Sequence, residues 1–240
     1  MLVLDLVQLP ASIVTGIYGK TKDQMPDRMR WLHPAAAEAF TAISPWAVVS
    51  DMYRSATSSL QAVREGRGAQ RPGFSAHGFG LAVDLDISAS MKRLGVRKKG
   101  ELDEAMREWG WYCHRVDGLM GHEAWHNNHI RIGEVVSRKV KSTAGYIEQK
   151  IVAMYGSQLA PDDAEAQRML KMLGLYDGPI DGDIGPLSRE ATRVFQRAWE
   201  LGETGKLDPR TRRTLAFVTA VDRSGNLISK VVTGQIKAAA

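Results

Sequence analysis

The chain has 240 residues, of which 44% are hydrophobic and 25% charged. That is an ordinary soluble globular composition, long enough for one large domain or for a medium domain and a small one. The single cysteine, Cys113, excludes a disulfide within the chain and a cysteine-based zinc site, so any metal would be held by His, Asp or Glu. The net charge is +5, but the basic residues are scattered without aromatic interleaving, and charge alone points to no nucleic-acid partner.

Residues 1–10 are apolar but carry Asp5, lack a basic leader and stop at Pro10, which is not the pattern of a secretory signal peptide. No apolar run approaches the roughly 20 residues of a membrane span, so stable membrane insertion is not expected. Residues 26–43 read as a helix broken at His33-Pro34, because a residue before proline is pushed out of the helical region. A strand is expected over 46–53, and a Gly-, Arg- and Pro-rich surface loop over 66–73.

Over 81–87 the apolar residues Leu81, Val83, Leu85 and Ile87 alternate with Ala82, Asp84 and Asp86, predicting a strand with one packed face and one carboxylate face. A helix is expected over 101–112, and His129-Ile-Arg-Ile132 alternates like the start of a strand. After Gly133 the chain turns basic and Ser/Thr-containing, and residues 146–155 set Ile147, Ile151 and Met154 at helical spacing. Three helix patterns follow: 162–173 stopped by Gly174, 188–201 stopped by Gly202, and a last one opened by Asp208-Pro209. The expected architecture is α+β. A first domain over 1–137, with a small antiparallel sheet flanked by helices, is followed by a partly helical connector over 138–160. A three-helix domain over 161–220 and a tail over 221–240 complete it.

The stretch Ser75-Ala-His77-Gly-Phe-Gly-Leu-Ala-Val-Asp84 and the later Glu123-Ala-Trp-His126 both supply zinc-type ligands. His77 and Asp84 are too far apart on a straight strand or helix to share one ion, so the chain must fold back between them. Gly78 and Gly80 offer that freedom. With His126 the set is two nitrogens and one oxygen, leaving a fourth position for water, and Glu123 is the natural base for that water.

These residues resemble the zinc D-alanyl-D-alanine carboxypeptidases and dipeptidases of the vancomycin-resistance type, together with related phage endolysins. Their pattern is Ser-x-His-x-x-Gly-x-Ala-x-Asp followed by Glu-x-Trp-His. Ser75, His77, Gly80, Ala82 and Asp84 fill the first half and Glu123, Trp125 and His126 the second. The resemblance covers roughly the first 135 residues and implies His77, Asp84 and His126 as ligands of Zn2+, with Glu123 as catalytic base. Asp51-Met-Tyr-Arg54-Ser55 looks like the family's Gly-Tyr-Arg-Ser segment, with Met52 in place of glycine; the resemblance implies that Arg54 holds a substrate carboxylate. Ser75 and Gln61 are further candidate substrate contacts, and Trp125 either stacks on substrate or packs.

His122-Glu-Ala-Trp-His126 also spells the His-Glu-x-x-His signature of helical zinc sites. Gly121 before it, and Asn127-Asn128 and an alternating run after it, favour a loop entering a strand, which makes His122 a bystander. His33, His114 and His129 have no partner at diagnostic spacing and read as structural or surface histidines, while Asp86 either orients a neighbouring ligand or is solvated.

Residues 164–215 resemble the peptidoglycan-binding module of wall hydrolases. The resemblance is carried by Gln167, Leu170, Leu173-Gly174, Tyr176-Asp-Gly178, Ile180-Asp-Gly182, Gly185, Phe195-Gln196 and Thr204-Gly-Lys-Leu-Asp-Pro-Arg-Thr211. Its Asp-rich turn lacks the ligand series of a calcium loop. Together the two resemblances imply a zinc peptidase acting on bacterial peptidoglycan, with a monomer as the default expectation. A phage endolysin is the expected form, held in the host cytoplasm until a holin lesion admits it to the periplasm and wall. The alternatives are a cellular D,D-carboxypeptidase or an inactive wall-binding protein. A D-Ala-D-Ala bond, an L-Ala-D-Glu bond and a D-Ala-diaminopimelate cross-link all remain open as the bond cut.

Overall fold

In the computed structural model, residues 1–16, 30–66, 69–113, 123–129, 149 and 151–228 are described. The chain divides into two units. One comprises Asp5–Arg54 and Phe74–Ile151; the other comprises Met1–Leu4, Ser55–Gly73 and Val152–Ala240.

The first unit mixes helix and sheet. Its elements are β1 (Val7–Gln8), β2 (Thr15–Gly16), β3 (Trp31–Leu32), α1 (Pro34–Ile43) and β4 (Val48–Asp51). Helix α2 (Ala56–Arg64) belongs to the second unit. The first unit resumes with β5 (Ala82–Leu85), α3 (Ile87–Leu94), α4 (Lys99–Glu108), β6 (Trp111–Cys113) and β7 (His126–His129). A five-stranded sheet runs β2-β4-β5-β7-β6, antiparallel except for the β2–β4 pair; β1 and β3 form a separate antiparallel pair.

Helix α1 starts at Pro34, whose fixed φ suits a first helical position and whose missing N–H costs nothing there. Ala36, Phe40 and Ile43 then recur at helical spacing and are buried in one apolar cluster with Val49, Val83, Leu85 and Trp111. The helix expected over 26–43 therefore begins only at Pro34: Trp31 and Leu32 are extended and pair with β1, and residues 26–29 lie outside the described residues. The strand expected over 81–87 ends at Leu85, because the Asp86 carboxylate accepts from the Ala89 N–H at 3.0 Å and caps α3. The helix expected over 101–112 stops at Glu108; Gly110, at φ +78°, turns the chain so that Trp111 pairs with His129 as an edge strand and is fully buried.

In the second unit α2 is capped by the Ser55 hydroxyl, and residues 151–155 are helical. Helices α5 (Asp163–Met172), α6 (Pro186–Ala198) and α7 (Pro209–Val218) follow. Asp162 and Asp208 cap α5 and α7 by accepting from Glu165 N and Thr211 N at 2.8 and 2.9 Å. Two buried glutamines tie helices to the loops that follow them. Gln167 Oε1 accepts from Asp181 N and Gly182 N at 3.0 and 2.8 Å, and Gln196 Oε1 accepts from Gly205 N at 2.9 Å. Their amide groups donate onward to Asp183 O and Ser188 Oγ, and to Lys206 O and Thr211 Oγ1.

The expected surface loop over 66–73 is not free at its far end. Pro72 and Gly73 are buried, and the Gly73 carbonyl accepts from Arg213 Nε at 2.7 Å. Leu4 N donates to Val221 O at 2.9 Å, which ties the first residues into the same unit. The basic stretch over 137–145 lies outside the described residues. Among the described residues no helix is long and apolar enough to cross a membrane.

Candidate metal centre

Side chains alternate between faces along a strand, so register decides which residues share a face. Asp84 on β5 sits opposite His126 on β7 and Asp51 on β4, and Ala82 sits opposite Asn128. Asp51, Asp84, His126 and Asn128 thus lie on one face of the sheet, while Val83 and Leu85 lie in the apolar cluster. His129, three residues after His126, falls on the opposite face and packs edge-on against Trp111 at 5.0 Å.

His77 arrives from a different route. Residues Ala76–Phe79 form one 3-10 turn, and Gly80 closes it in the left-handed region at φ +64°. A Cβ on Gly80 would stand 2.6 Å from the backbone nitrogen of His33, so both conformation and space require glycine there. Gly78, by contrast, has no positive φ; the fold-back expected of both glycines falls to Gly80.

His77 Nε2 lies 3.1 Å from His126 Nδ1 and 3.3 Å from Asp84 Oδ1, and His126 Nδ1 lies 2.8 Å from the same oxygen. Four ligands at about 2.0–2.1 Å from zinc stand about 3.3 Å apart along each edge of a tetrahedron, so this triangle is close to one face of such a site. Second partners set the ring orientations. His77 Nδ1–H donates to the Met52 carbonyl and His126 Nε2–H to Asn128 Oδ1 at 3.0 Å, leaving a lone pair on Nε2 of one ring and Nδ1 of the other. With Asp84 Oδ1, three electron-pair donors then face one point, which is repulsive unless a metal cation, or in its absence a proton shared with Asp84, lies between them. The donor set fits a metal ion.

All three side chains are buried; Asp84 is only 8% exposed, so the carboxylate face of β5, expected to point out of the core, is covered by the two imidazoles. Burial disfavours ionised Asp84 most strongly of the single influences. The His77 charge and hydrogen bonds from both imidazoles nevertheless hold the carboxyl far below the usual range. Burial likewise opposes protonation of His77, yet Asp84 carries its pKa above the ordinary imidazole value.

Glu123 is half-buried one turn before His126, whose N–H donates to the Glu123 carbonyl at 3.1 Å. Residues 124–125 form a turn and 126–129 a strand, so the described part of the His-Glu-x-x-His string is not helical; His122 lies outside the described residues, as does His114. Arg54 donates its N–H to the His77 carbonyl at 3.2 Å, and its guanidinium is paired with Asp51, Nε to Oδ2 at 3.2 Å. The Met52 departure from the glycine of the family pattern leaves this arrangement intact, since it is the backbone carbonyl that holds His77. Ser75 is buried at the start of the 3-10 turn, and Trp125 is 44% exposed. Gln61 is exposed on α2 and donates to Glu65 at 2.8 Å, within the second unit. Asn128 and Asp51 were missed as functional candidates. The signal for Asn128 was its i+2 spacing from His126 on a strand; the Asp51–Arg54 pair had only proximity in sequence.

Residues 160–215 match the family model described as a putative peptidoglycan binding domain. That span covers α5 and α6 and reaches into α7. Two curated proteins are similar over parts of the chain. The N-acetylmuramoyl-L-alanine amidase CwlM of Mycobacterium tuberculosis is 30% identical over 125 residues, 50% of this chain and 27% of that protein. The putative OxPP cycle protein OpcA of Synechocystis is 40% identical over 75 residues, 30% of this chain and 16% of that protein. The chain thus spans about a quarter or less of the length of these relatives.

Proposed function

We propose that this chain is a zinc-dependent peptidase of the phage-endolysin kind that hydrolyses an amide bond in the peptide part of bacterial peptidoglycan. The observation that supports it most is the buried convergence of His77 Nε2, Asp84 Oδ1 and His126 Nδ1, with Glu123 three residues before His126 in the chain, in a protein whose residues 160–215 match a peptidoglycan-binding model.

His77, Asp84 and His126 would hold the ion, which would supply an acidified water near neutral pH and a Lewis acid for the scissile carbonyl. Glu123 takes the proton of the attacking water and returns it to the leaving amine. Arg54, oriented by Asp51, binds a substrate carboxylate near the scissile bond and so selects which bond is presented. The C-terminal helices hold the enzyme on its polymer, raising the local concentration of peptide stems.

The test is digestion of purified peptidoglycan, with mass analysis of the fragments, by the wild type and by Asp84→Ala, Glu123→Ala and His122→Ala. Activity retained only by wild type and His122→Ala supports the reading, and the fragment masses name the bond. Activity retained by Asp84→Ala but lost in His122→Ala would move the metal to a different ligand set. Release of intact stem peptides from muramic acid would instead mark an amidase, the activity in the printed name of the mycobacterial relative.

A further inference from the structure

We infer that Asn128 is the positioning residue that makes His126 a metal ligand through Nδ1, and that it does so as a neutral orienter. The inference rests on the metal-centre reading above. His126 and Asn128 are two apart on β7, so their side chains emerge from the same face, and the imidazole Nε2 lies 3.0 Å from the amide oxygen. Both residues are buried, at 6% and 2% exposure, so water does not replace this contact. The cross-strand neighbour of Asn128 on β5 is Ala82, whose small side chain leaves room for the amide beside the ring.

Two tautomers of a neutral imidazole are close in energy, and the partner of one nitrogen decides which lone pair is offered by the other. Donation from Nε2 to the Asn128 oxygen leaves Nδ1 bare, directed at Asp84 Oδ1 and His77 Nε2. The other histidine is oriented by the Met52 backbone carbonyl, again an uncharged acceptor. Neither of these two orienting partners is a carboxylate, which would make the imidazole a stronger donor. Asp84 is left as the one anionic ligand of the triad, a combination that keeps a bound dication strongly electrophilic.

The test is zinc affinity by chelator competition, with the visible spectrum of the cobalt-substituted protein, for the wild type, Asn128→Leu and Asn128→Asp. Leucine removes the acceptor at similar volume and is expected to weaken zinc binding about 10- to 100-fold. Aspartate restores an acceptor and makes it anionic; it is expected to bind zinc more tightly than the wild type and to shift the cobalt bands. A folded leucine variant with wild-type affinity, or an aspartate variant that binds no more tightly than the wild type, overturns the inference. If Asn128→Leu does not fold, the aspartate arm decides alone. Failure of the wild type itself to bind zinc overturns the metal centre, an outcome distinct from failure of the Asn128 role.

Discussion

Asp84 and His77 face each other where water is excluded, and their opposite shifts set how the metal-free protein responds to pH. Asp84 is depressed, so its contribution to stability is present above the ordinary carboxylate range and lost only in strong acid. His77 is raised, so its contribution is complete below the ordinary value of 6.5 and is lost as pH rises through its elevated folded pKa. Metal binding needs His77 neutral, which reverses the trend. The melting temperature of chelated protein is expected to fall as pH is raised above 6.5, while the gain on adding zinc grows over the same interval. A chelated protein that becomes more stable with rising pH would refute the Asp84–His77 coupling. Arg54→Lys tests the neighbouring pair. Lysine cannot offer two parallel donors, and loss of a charge-assisted hydrogen bond costs about 1.5–3 kcal/mol, so KM is expected to rise about 10- to 100-fold with zinc content unchanged. An unaltered KM would remove Arg54 from substrate binding.

At the scale of elements, the 3-10 turn ending in Gly80 and the glutamine-anchored loops are the sensitive parts. Gly80→Ala adds a Cβ against the His33 backbone nitrogen and strains a positive φ; strain of this type costs about 1–3 kcal/mol before the clash is counted. Because His77 is in that turn, zinc affinity and thermal stability are expected to drop together, and wild-type values for both would show that the turn tolerates a side chain. Gln167→Leu keeps most of the buried volume but removes the shared acceptor of the partly buried Asp181 and Gly182 N–H bonds, each contributing about 0.5–1.5 kcal/mol. Its lowered melting temperature should be matched by Gln196→Leu, which orphans Gly205 N. Unchanged melting in both would mean that these loops find other partners at no cost.

These elements show how far local pattern carries. Proline and aspartate caps placed the starts of α5 and α7 within a residue, since capping depends on a few adjacent groups. Periodicity failed where tertiary burial took over. Trp111 and Tyr112 read as the end of a helix, but the site that buries Trp111 beside His129 is on a strand. Residues 81–87 alternate throughout, yet the Asp86 cap ends the strand two residues early.

Over the whole molecule, Ser55–Gly73 lies in sequence between Arg54 and Ser75 but gathers with the C-terminal helices, as do Met1–Leu4. The C-terminal unit is therefore discontinuous. A fragment of residues 152–228 lacks the Leu4–Val221 hydrogen bond and the Gly73 partner of Arg213. It is expected to unfold at a lower temperature than the same unit in the full chain, as followed by calorimetry; equal melting would show that the early segments add no stability.

The sequence by itself determined what depends on residue type and short-range spacing. The zinc-type ligands, the absence of cysteine alternatives and the capped helices of residues 160–215 all follow from residue type and local stereochemistry. The tertiary structure alone decided which atoms meet. The turn at Gly80 brings His77 to Asp84, the Met52 carbonyl and Asn128 select one nitrogen of each imidazole, and Asp51 claims Arg54. These contacts join residues on different strands and turns, or depend on the direction in which a side chain is held. Their geometry is set by sheet register and burial, which act between segments distant in sequence and leave little trace in local pattern.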